Sequence, residues 1–175
     1  MSKKKLVHKG ANINMASPPG EYKRMVRDFN GGIIAVGGAV GLGKTFNILM
    51  KLLVASMSIK PINGVRRSRF IIARTVAGDL KTSVIRDLND FFGGIFSMTS
   101  DQSPMKGVMS FNGSDGIPIE AQFDFYAFDR PEETDKIKSA KYTAGAIIEA
   151  QSLPGVSVIS DIWARCGRYP SNSVD

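Results

Sequence analysis

The chain has 175 residues, 43% of them hydrophobic, and this length and composition predict one folded domain with a real core. Its net charge of +7 suits contact with nucleic acid or another polyanion. The single cysteine, Cys166, excludes an intrachain disulfide, and the only histidine, His8, excludes Ser-His-Asp triads and histidine-based metal sites. No segment approaches eighteen consecutive apolar residues, so we expect no membrane span and no membrane partner.

The first twenty residues predict a flexible basic tail. Lys3 to Lys5 form a basic run, and Pro18-Pro19-Gly20 marks a turn. A mobile, solvated terminus is the simpler interpretation, and an arm that contacts DNA is the alternative. Residues 21–175 are expected to form the folded domain.

A glycine-rich stretch early in this domain carries the clearest motif. The apolar run Ile33 to Val36 predicts a buried strand, and an apolar stripe over Lys44 to Met57 predicts a helix. The loop between them fits the phosphate-binding pattern G-x-x-x-x-G-K-[ST] in full. Its residues are Gly38, Ala39, Val40, Gly41, Leu42, Gly43, Lys44 and Thr45.

This pattern predicts binding of ATP with Mg²⁺. Glycines allow consecutive backbone N–H groups to point at phosphate oxygens, and the positive end of the following helix favours the same anion. Lys44 would reach the β- and γ-phosphates, and Thr45 would offer its hydroxyl to Mg²⁺. The alternative is a glycine-rich turn from strand to helix with no ligand.

The middle of the chain predicts further sheet elements. Phe70 to Ala73 is typical of a buried parallel strand, and Arg74-Thr75 follows at its carboxyl end, where open α/β sheets bind ligands. A helix is predicted from Asp79 to Phe92, with an inner face of Leu80, Val84, Leu88 and Phe91. Residues 95–127 predict strands, because apolar and polar residues alternate from Ile119 to Tyr126.

Tyr142 to Glu149 is the third informative stretch, an apolar run that ends in a carboxylate. ATP hydrolysis needs a group that orients and activates water beside the γ-phosphate. Together with the phosphate loop, this position predicts that Glu149 is that group and that it helps to hold Mg²⁺. A glutamate that only caps the following turn is the alternative.

A last helix is predicted from Val156 to Arg168, with a core face of Val156, Ile159, Trp163 and Cys166. Arg165 and Arg168 fall near its end. They either complement the helix dipole or face a phosphate, within the chain or across a subunit interface.

Four stretches resemble, in order, the ATPase domain of the large terminase subunit of tailed bacteriophages. These are residues 37–45, residues 70–80, Tyr142-Thr143-Ala144-Gly145-Ala146-Ile147-Ile148-Glu149-Ala150, and Arg165-Cys166-Gly167-Arg168-Tyr169-Pro170-Ser171. The third is similar to the Thr-Gly-Ala-Trp-x-Asn-Glu-Ala stretch of many terminases, and the fourth to their Arg-x-Gly-Arg-Tyr-Pro run. The last two stretches are far more particular than the phosphate loop.

The resemblance implies a RecA-like P-loop NTPase, a three-layer α/β/α fold with a mainly parallel sheet, of the class with an additional strand and a catalytic glutamate. It implies ATP hydrolysis that drives double-stranded DNA into a procapsid. The implied partners are DNA, a portal protein, a small terminase subunit and further copies in a ring, usually a pentamer. The implied location is the cytoplasm of the infected bacterial host, transiently at the portal vertex.

Three departures from the family qualify the resemblance. Val40 stands where many terminases carry an arginine, so Arg74, Arg165, Arg168 or a neighbouring subunit is expected to stabilise the transition state. Ile148 stands where an acidic or amide residue often helps to hold the Mg²⁺ water shell. The fold is expected to be incomplete at its C-terminus, with the rest of the ATPase and the nuclease domain on a separate chain or removed by truncation.

Two other functions fit the sequence less fully. The chain is a nucleotide-binding module with little activity until a partner completes it, or it is an unrelated P-loop enzyme such as a helicase-like ATPase or a kinase. Nuclease activity is disfavoured, because the carboxylates are scattered and form no cluster for two metal ions.

Overall fold

The computed structural model of the protein describes residues 32–37 and 43–170, so the predicted basic tail lies outside the described residues. Five strands form one sheet in the order β2-β3-β4-β1-β5, and they are β1 (Arg66–Arg74), β2 (Phe96–Ser100), β3 (Met105–Asn112), β4 (Pro118–Ala127) and β5 (Ala144–Ile147). The helices are α1 (Lys44–Ser58), α2 (Ala77–Asp79), a π-helical segment (Leu80–Ile85), α3 (Arg86–Phe92) and α4 (Val156–Trp163). Short 3₁₀ segments span Pro131–Ile137 and Ala150–Ser152. Over the described ranges, no helix has both the length and the apolar character needed to cross a membrane.

The centre of the sheet is parallel, as predicted. Strand β1 pairs in parallel with β4 on one side and with β5 on the other. Strands β2 and β3 extend the sheet in antiparallel pairing beyond β4. The carboxyl ends of β1, β4 and β5 therefore meet at one end of the sheet.

Helices cover both faces of this sheet, which confirms the three-layer α/β/α arrangement. On one face, α1 and the helical run from the π-helical segment through α3 bury a large apolar cluster that includes Leu53, Phe70, Ile72, Leu88, Phe123 and Ile148. On the other face, α4 and the first 3₁₀ segment bury a smaller cluster that includes Ile71, Ala73, Phe128, Ile137, Tyr142 and Ile162. Alternate residues of β1 serve the two clusters, because successive side chains of a strand point to opposite faces.

The predicted buried strand at Ile33 to Val36 is wrong in this structure. Residues 32–37 form no strand, and the side chains of Ile33 and Ile34 are 68% and 44% exposed. A short apolar run forms a strand only where a neighbour takes up its backbone hydrogen bonds, and the described sheet ends at β5 without pairing to this run.

The helical run after β1 matches the prediction except at its inner face. Leu80, Val84, Leu88 and Phe92 are buried, whereas Phe91, which was assigned to this face, is 54% exposed. The π-helical segment explains the difference, because its i→i+5 hydrogen bonds widen the turn. Residues four apart, from Leu80 to Phe92, then lie on one face, and Phe92 points into the core instead of Phe91.

The last helix is shorter than predicted and buries another face. It ends at Trp163, and it buries Val158 and Ile162, while Val156 and Trp163 are 76% and 48% exposed. The buried line runs over Gly145, where an added Cβ would lie 3.1 Å from Ile162 Cγ2. The missing side chain at Gly145 therefore lets α4 lie close to β5 along this line.

Candidate functional site

Two of the predicted site residues meet where β1 and β5 end. Arg74 is the last residue of β1, and Glu149 follows β5 after one more residue, Ile148, whose N–H donates to Ala73 O at 2.9 Å. Arg74 Nη2 lies 2.6 Å from Glu149 Oε1. The arginine side chain is 11% exposed and the glutamate side chain 50% exposed. A buried guanidinium therefore holds the Glu149 carboxylate, while the rest of the carboxylate is open to water.

The backbone of Glu149 has a conformation that few residues with a side chain adopt. Its φ of 59° and ψ of 54° lie in the left-handed region. This conformation costs about 1–3 kcal/mol and persists where the surroundings hold it. Ser152 supplies that support, because its N–H and its Oγ donate to Glu149 O at 2.9 Å and 2.7 Å.

Arg74 is fixed by a second set of contacts on the helical side. Its Nη1 donates to Ser83 Oγ at 2.6 Å and to Asp79 O at 3.3 Å. The Asp79 carboxylate lies 3.7 Å from Arg74 Nε, which is an ion pair but too long for a hydrogen bond. The guanidinium thus joins the start of the helical run to the turn after β5.

The start of α1 holds the described part of the predicted phosphate loop. Gly43 has a φ of 68°, a left-handed value that suits glycine, and its carbonyl accepts from the N–H and the Nδ2 of Asn47 at 3.0 Å and 2.9 Å. Lys44 and Thr45, both half-buried, begin the helix, whose first turn has no acidic residue and no side-chain cap. This positive helix end fits an anion. Gly38, Ala39, Val40, Gly41 and Leu42 lie outside the described residues.

The first turn of α1 lies away from the Arg74–Glu149 pair. Phe46 packs on Phe91 and Phe92, the last two residues of α3, with ring centroids 4.7 Å and 6.3 Å apart. The short turn from Gly93 to Ile95 leads from α3 into β2. Strand β2 runs parallel to β1, and both strands start near the same end of the sheet. The structure therefore brings Arg74 and Glu149 together and places the start of α1 towards the other end.

Arg165 and Arg168 also lie towards the other end of the sheet. Arg165 O accepts from the N–H of Tyr142, and the N–H of Arg168 donates to Tyr142 O, at 2.9 Å and 3.0 Å. Tyr142 precedes β5, whereas Glu149 follows it, so the length of β5 separates both arginines from Glu149. This placement does not favour contact with a phosphate beside Glu149 of the same chain. It is compatible with the dipole role after α4 and with contact across a subunit interface.

The residues near Glu149 fit a metal only together with phosphates. The described part of the chain contains no group of three or more Asp, Glu, His or Cys side chains arranged to hold a metal ion. Ile148 is buried in the core and offers no ligand atom. Mg²⁺ commonly binds through one or two protein groups plus substrate phosphates, so Glu149 by itself suits a Mg²⁺ that a nucleotide carries. Thr45, the other predicted ligand, begins α1 and lies away from Glu149, so the structure does not bring these two ligands together.

Sequence reasoning missed the polar residues that support Glu149. Thr75 Oγ1 lies 2.8 Å from Ser152 Oγ, and Ser83 contacts Arg74 from the π-helical segment. In the sequence, only the position of Arg74-Thr75 at the end of a strand indicated that these residues belong to a site. Nothing in the sequence marked Ser83 or Ser152, because serines are common in helices and turns.

Comparison with known proteins identifies a shared fold. No family model matches the chain, and no curated protein matches its sequence. Crystal structures of the large terminase from a thermophilic bacteriophage are similar, with a TM-score of 0.59 at 18% identity for one crystal form. The complexes of that terminase with ADP and with ATP-gamma-S give 0.55 at 16% and 0.53 at 18% identity.

These likenesses concern one part of the phage terminase. Each covers 74% of this chain, but only 30%, 29% and 28% of the terminase in the three structures. At such identities the likeness shows the fold alone. The chain has the α/β fold of part of a large terminase, over less than a third of the length of that protein.

Proposed function

We propose that the chain binds ATP and that Glu149 activates water for its hydrolysis, as the nucleotide-binding part of a DNA-packaging motor. The observation that carries this proposal is the position of Glu149 at the carboxyl end of the central parallel strands, beside Arg74. Ligands of open α/β sheets bind at that edge. The fold is shared with a terminase whose structures include complexes with ADP and with ATP-gamma-S.

The residues have separate roles in this proposal. Backbone N–H groups of residues 38–43 and the Lys44 ammonium bind phosphate oxygens. The Thr45 hydroxyl and Glu149 would hold Mg²⁺ once the start of α1 is brought to the strand ends. The metal, when bound, neutralises charge on the phosphates. Glu149 accepts a proton from water, for which its half-exposed carboxylate is suitably open. Because Val40 offers no positive charge in the loop, the negative charge of the transition state is stabilised by Arg74 or by an arginine of a neighbouring copy, such as Arg165 or Arg168.

The partners of such a motor follow from the same proposal. Double-stranded DNA, a portal protein, a small terminase subunit and a ring of copies are the expected contacts. The net charge of +7 favours the DNA contact and carries no sequence preference. DNA-stimulated hydrolysis of ATP is the property that tests this part.

One observation favours a second candidate, a nucleotide-binding module that is inactive by itself. Residues 32–37 lie outside the sheet, and the first turn of α1 lies away from Glu149. A hydrolytic site needs the phosphate loop beside the water activator. In this second candidate, another protein segment brings the loop to the strand ends.

Nucleotide binding is the first test, measured by titration of the chain with a fluorescent ATP analogue. Lys44→Ala should weaken binding about 10- to 100-fold, because it removes a charge-assisted hydrogen bond worth about 1.5–3 kcal/mol. Lys51→Ala, two turns further along α1, is the matched control and should bind like the wild type. Equal affinity of all three proteins would refute the phosphate loop as the binding site.

Turnover then separates the two candidates. The rate of ATP hydrolysis is measured on the chain alone, and again with DNA and the remaining portion of the large subunit. Hydrolysis by the chain alone contradicts the inactive module. Binding without turnover until the remaining portion is added supports it.

A further inference from the structure

We propose that Arg74 and Thr75, at the end of β1, form a two-point clamp that positions Glu149, and that Ser83 of the π-helical segment aims the arginine half of this clamp. This inference rests on the proposed role of Glu149 as the water activator. It assigns positioning roles to Thr75, Ser83 and Ser152, and a positioning role to Arg74 that does not require contact with phosphate.

The first point of the clamp holds the side chain of Glu149. Arg74 Nη2 lies 2.6 Å from Glu149 Oε1, and the arginine is 11% exposed, so few waters compete for it. Its other terminal nitrogen, Nη1, donates to Ser83 Oγ at 2.6 Å. One guanidinium thus bridges the Ser83 hydroxyl and the Glu149 carboxylate. Because the guanidinium is planar and rigid, fixing it at the hydroxyl also fixes where it holds the carboxylate.

The hydroxyl of Ser83 is oriented for this contact. Ser83 Oγ donates its hydrogen to Asp79 O at 2.6 Å, which leaves its lone pairs towards Arg74. Ser83 lies inside the π-helical segment, a rare local structure that occurs frequently at functional sites. The wide turn brings Ser83 and Asp79 to the same arginine, which also donates to Asp79 O at 3.3 Å.

The second point of the clamp holds the main chain of Glu149. Ser152 Oγ donates to Glu149 O at 2.7 Å, so its lone pair accepts from the Thr75 hydroxyl at 2.8 Å. Arg74, the last residue of β1, therefore contacts the carboxylate directly, and the next residue, Thr75, reaches the carbonyl of the same glutamate through Ser152. This double hold explains how Glu149 keeps its left-handed backbone conformation.

Hydrogen exchange tests the clamp without requiring activity. The amide of Ser152 donates to Glu149 O, so its exchange reports opening of this turn. Arg74→Gln should speed exchange about tenfold, and Ser83→Ala and Thr75→Val about two- to fivefold, in line with charged and neutral hydrogen bonds. Arg67→Gln is the matched control, since Arg67 pairs with Glu120 near the start of β1 and should leave this amide unchanged.

A kinetic split tests whether the clamp serves Glu149 in hydrolysis. Ser83→Ala should lower kcat for ATP hydrolysis several-fold, because Arg74 and Glu149 are then less well positioned. KM should not change, because Ser83 contacts no substrate in this proposal. Arg74→Lys should recover part of the activity lost in Arg74→Gln. If Ser83 acts through Arg74, the double variant Arg74→Gln/Ser83→Ala should be no slower than Arg74→Gln alone.

The outcomes distinguish this inference from the proposed function. Unchanged exchange at Ser152 in Arg74→Gln and Ser83→Ala, in a chain that binds ATP, overturns the clamp and leaves the function standing. A wild-type chain that binds no ATP refutes the function, whereas the exchange rates still decide whether the clamp exists. Additive kinetic losses in the double variant overturn the assignment of Ser83 as acting through Arg74.

Discussion

Arg69 and Arg74 lie on the same strand, and each pairs with a carboxylate at 2.6 Å, yet their surroundings differ. Asp124, the partner of Arg69, has a side chain that is 4% exposed, whereas Glu149 is 50% exposed. Asp124 Oδ2 also accepts from the Tyr142 hydroxyl at 3.1 Å, and the Arg69 guanidinium lies 5.2 Å from the centre of the Tyr142 ring.

The comparison teaches that burial, more than ion-pair geometry, separates a structural pair from a candidate catalytic one. The carboxylate of Asp124 is enclosed by partners that join β1, β4 and the segment before β5. Water cannot reach it, so it can only hold strands together. Glu149 has one charged partner among residues 32–37 and 43–170, and its carboxylate is half-exposed, as a water activator requires.

Substitution of the open carboxylate should produce the largest effect on activity. Glu149→Gln should lower ATP hydrolysis by about 10²–10⁴-fold, the usual contribution of a general base, with the affinity for ATP nearly unchanged. Steady-state hydrolysis and analogue titration measure the two quantities. Asp124→Asn serves as the contrasting variant, and hydrolysis that depends more on Asp124 than on Glu149 would reverse the comparison.

Substitution of the enclosed carboxylate should produce the largest effect on stability. Asp124→Asn leaves Arg69 without its charged partner, and we expect a loss of about 2–3 kcal/mol in the free energy of unfolding. Breaking a fully buried ion pair costs about 3–5 kcal/mol. We expect a smaller loss here because the Arg69 side chain is 29% exposed and can regain contact with water.

Urea unfolding measures this loss, and Glu120→Gln is its control. Glu120 pairs with Arg67 on the same two strands, but both side chains are 41% exposed, so the expected loss is about 0–1 kcal/mol. An Asp124→Asn protein as stable as the Glu120→Gln protein would show that the enclosed pair contributes nothing special.

A third substitution loosens α4 from β5, the strand that Glu149 follows. In Gly145→Ala, the new Cβ would lie 2.9 Å from Ile71 Cγ2 and 3.1 Å from Ile162 Cγ2, so we expect a loss of about 1–2 kcal/mol. Thermal or urea unfolding measures it. Gly78→Ala, whose added Cβ would meet nothing within 4 Å, should be neutral, and equal losses in both variants would contradict the close approach of α4.

The sequence predicted the central strands and the position of Glu149, because apolar runs and their ends are local features. It did not distinguish Ile33 to Val36 from Phe70 to Ala73, since both are short apolar runs and only a pairing partner makes one a strand. The exposed Phe91 was missed for a related reason, because a π-helical turn changes the helical period and leaves no mark in the pattern.

The contacts of the site were beyond a local pattern altogether. Arg74 and Glu149 are far apart along the chain, and their pairing depends on β1 and β5 being neighbours in the sheet. The alternation from Ile119 to Tyr126 predicted a polar face that includes Asp124, but helix α4 and Tyr142 cover the end of that face where Asp124 lies and bury it. Tertiary packing decided both outcomes.

The pH dependence of stability should show the smallest of these effects, again at the enclosed pair. Burial, and then the charge of Asp124, raise the pKa of Tyr142 above its ordinary value of 10.0. The folded protein therefore keeps this proton when the unfolded chain releases it, so the stability is complete below about pH 10 and is lost as the pH rises further. Between pH 9 and 11 the wild type should lose about 1 kcal/mol more than Tyr142→Phe, measured by urea unfolding at each pH. Tyr126, whose pKa burial also raises, and Cys166, whose pKa burial raises to about 11, are present in both proteins, so both proteins carry their losses. Parallel losses in the two proteins would show that the Tyr142 hydroxyl titrates normally and that the pair around Asp124 is open to water, like the pair at Glu149.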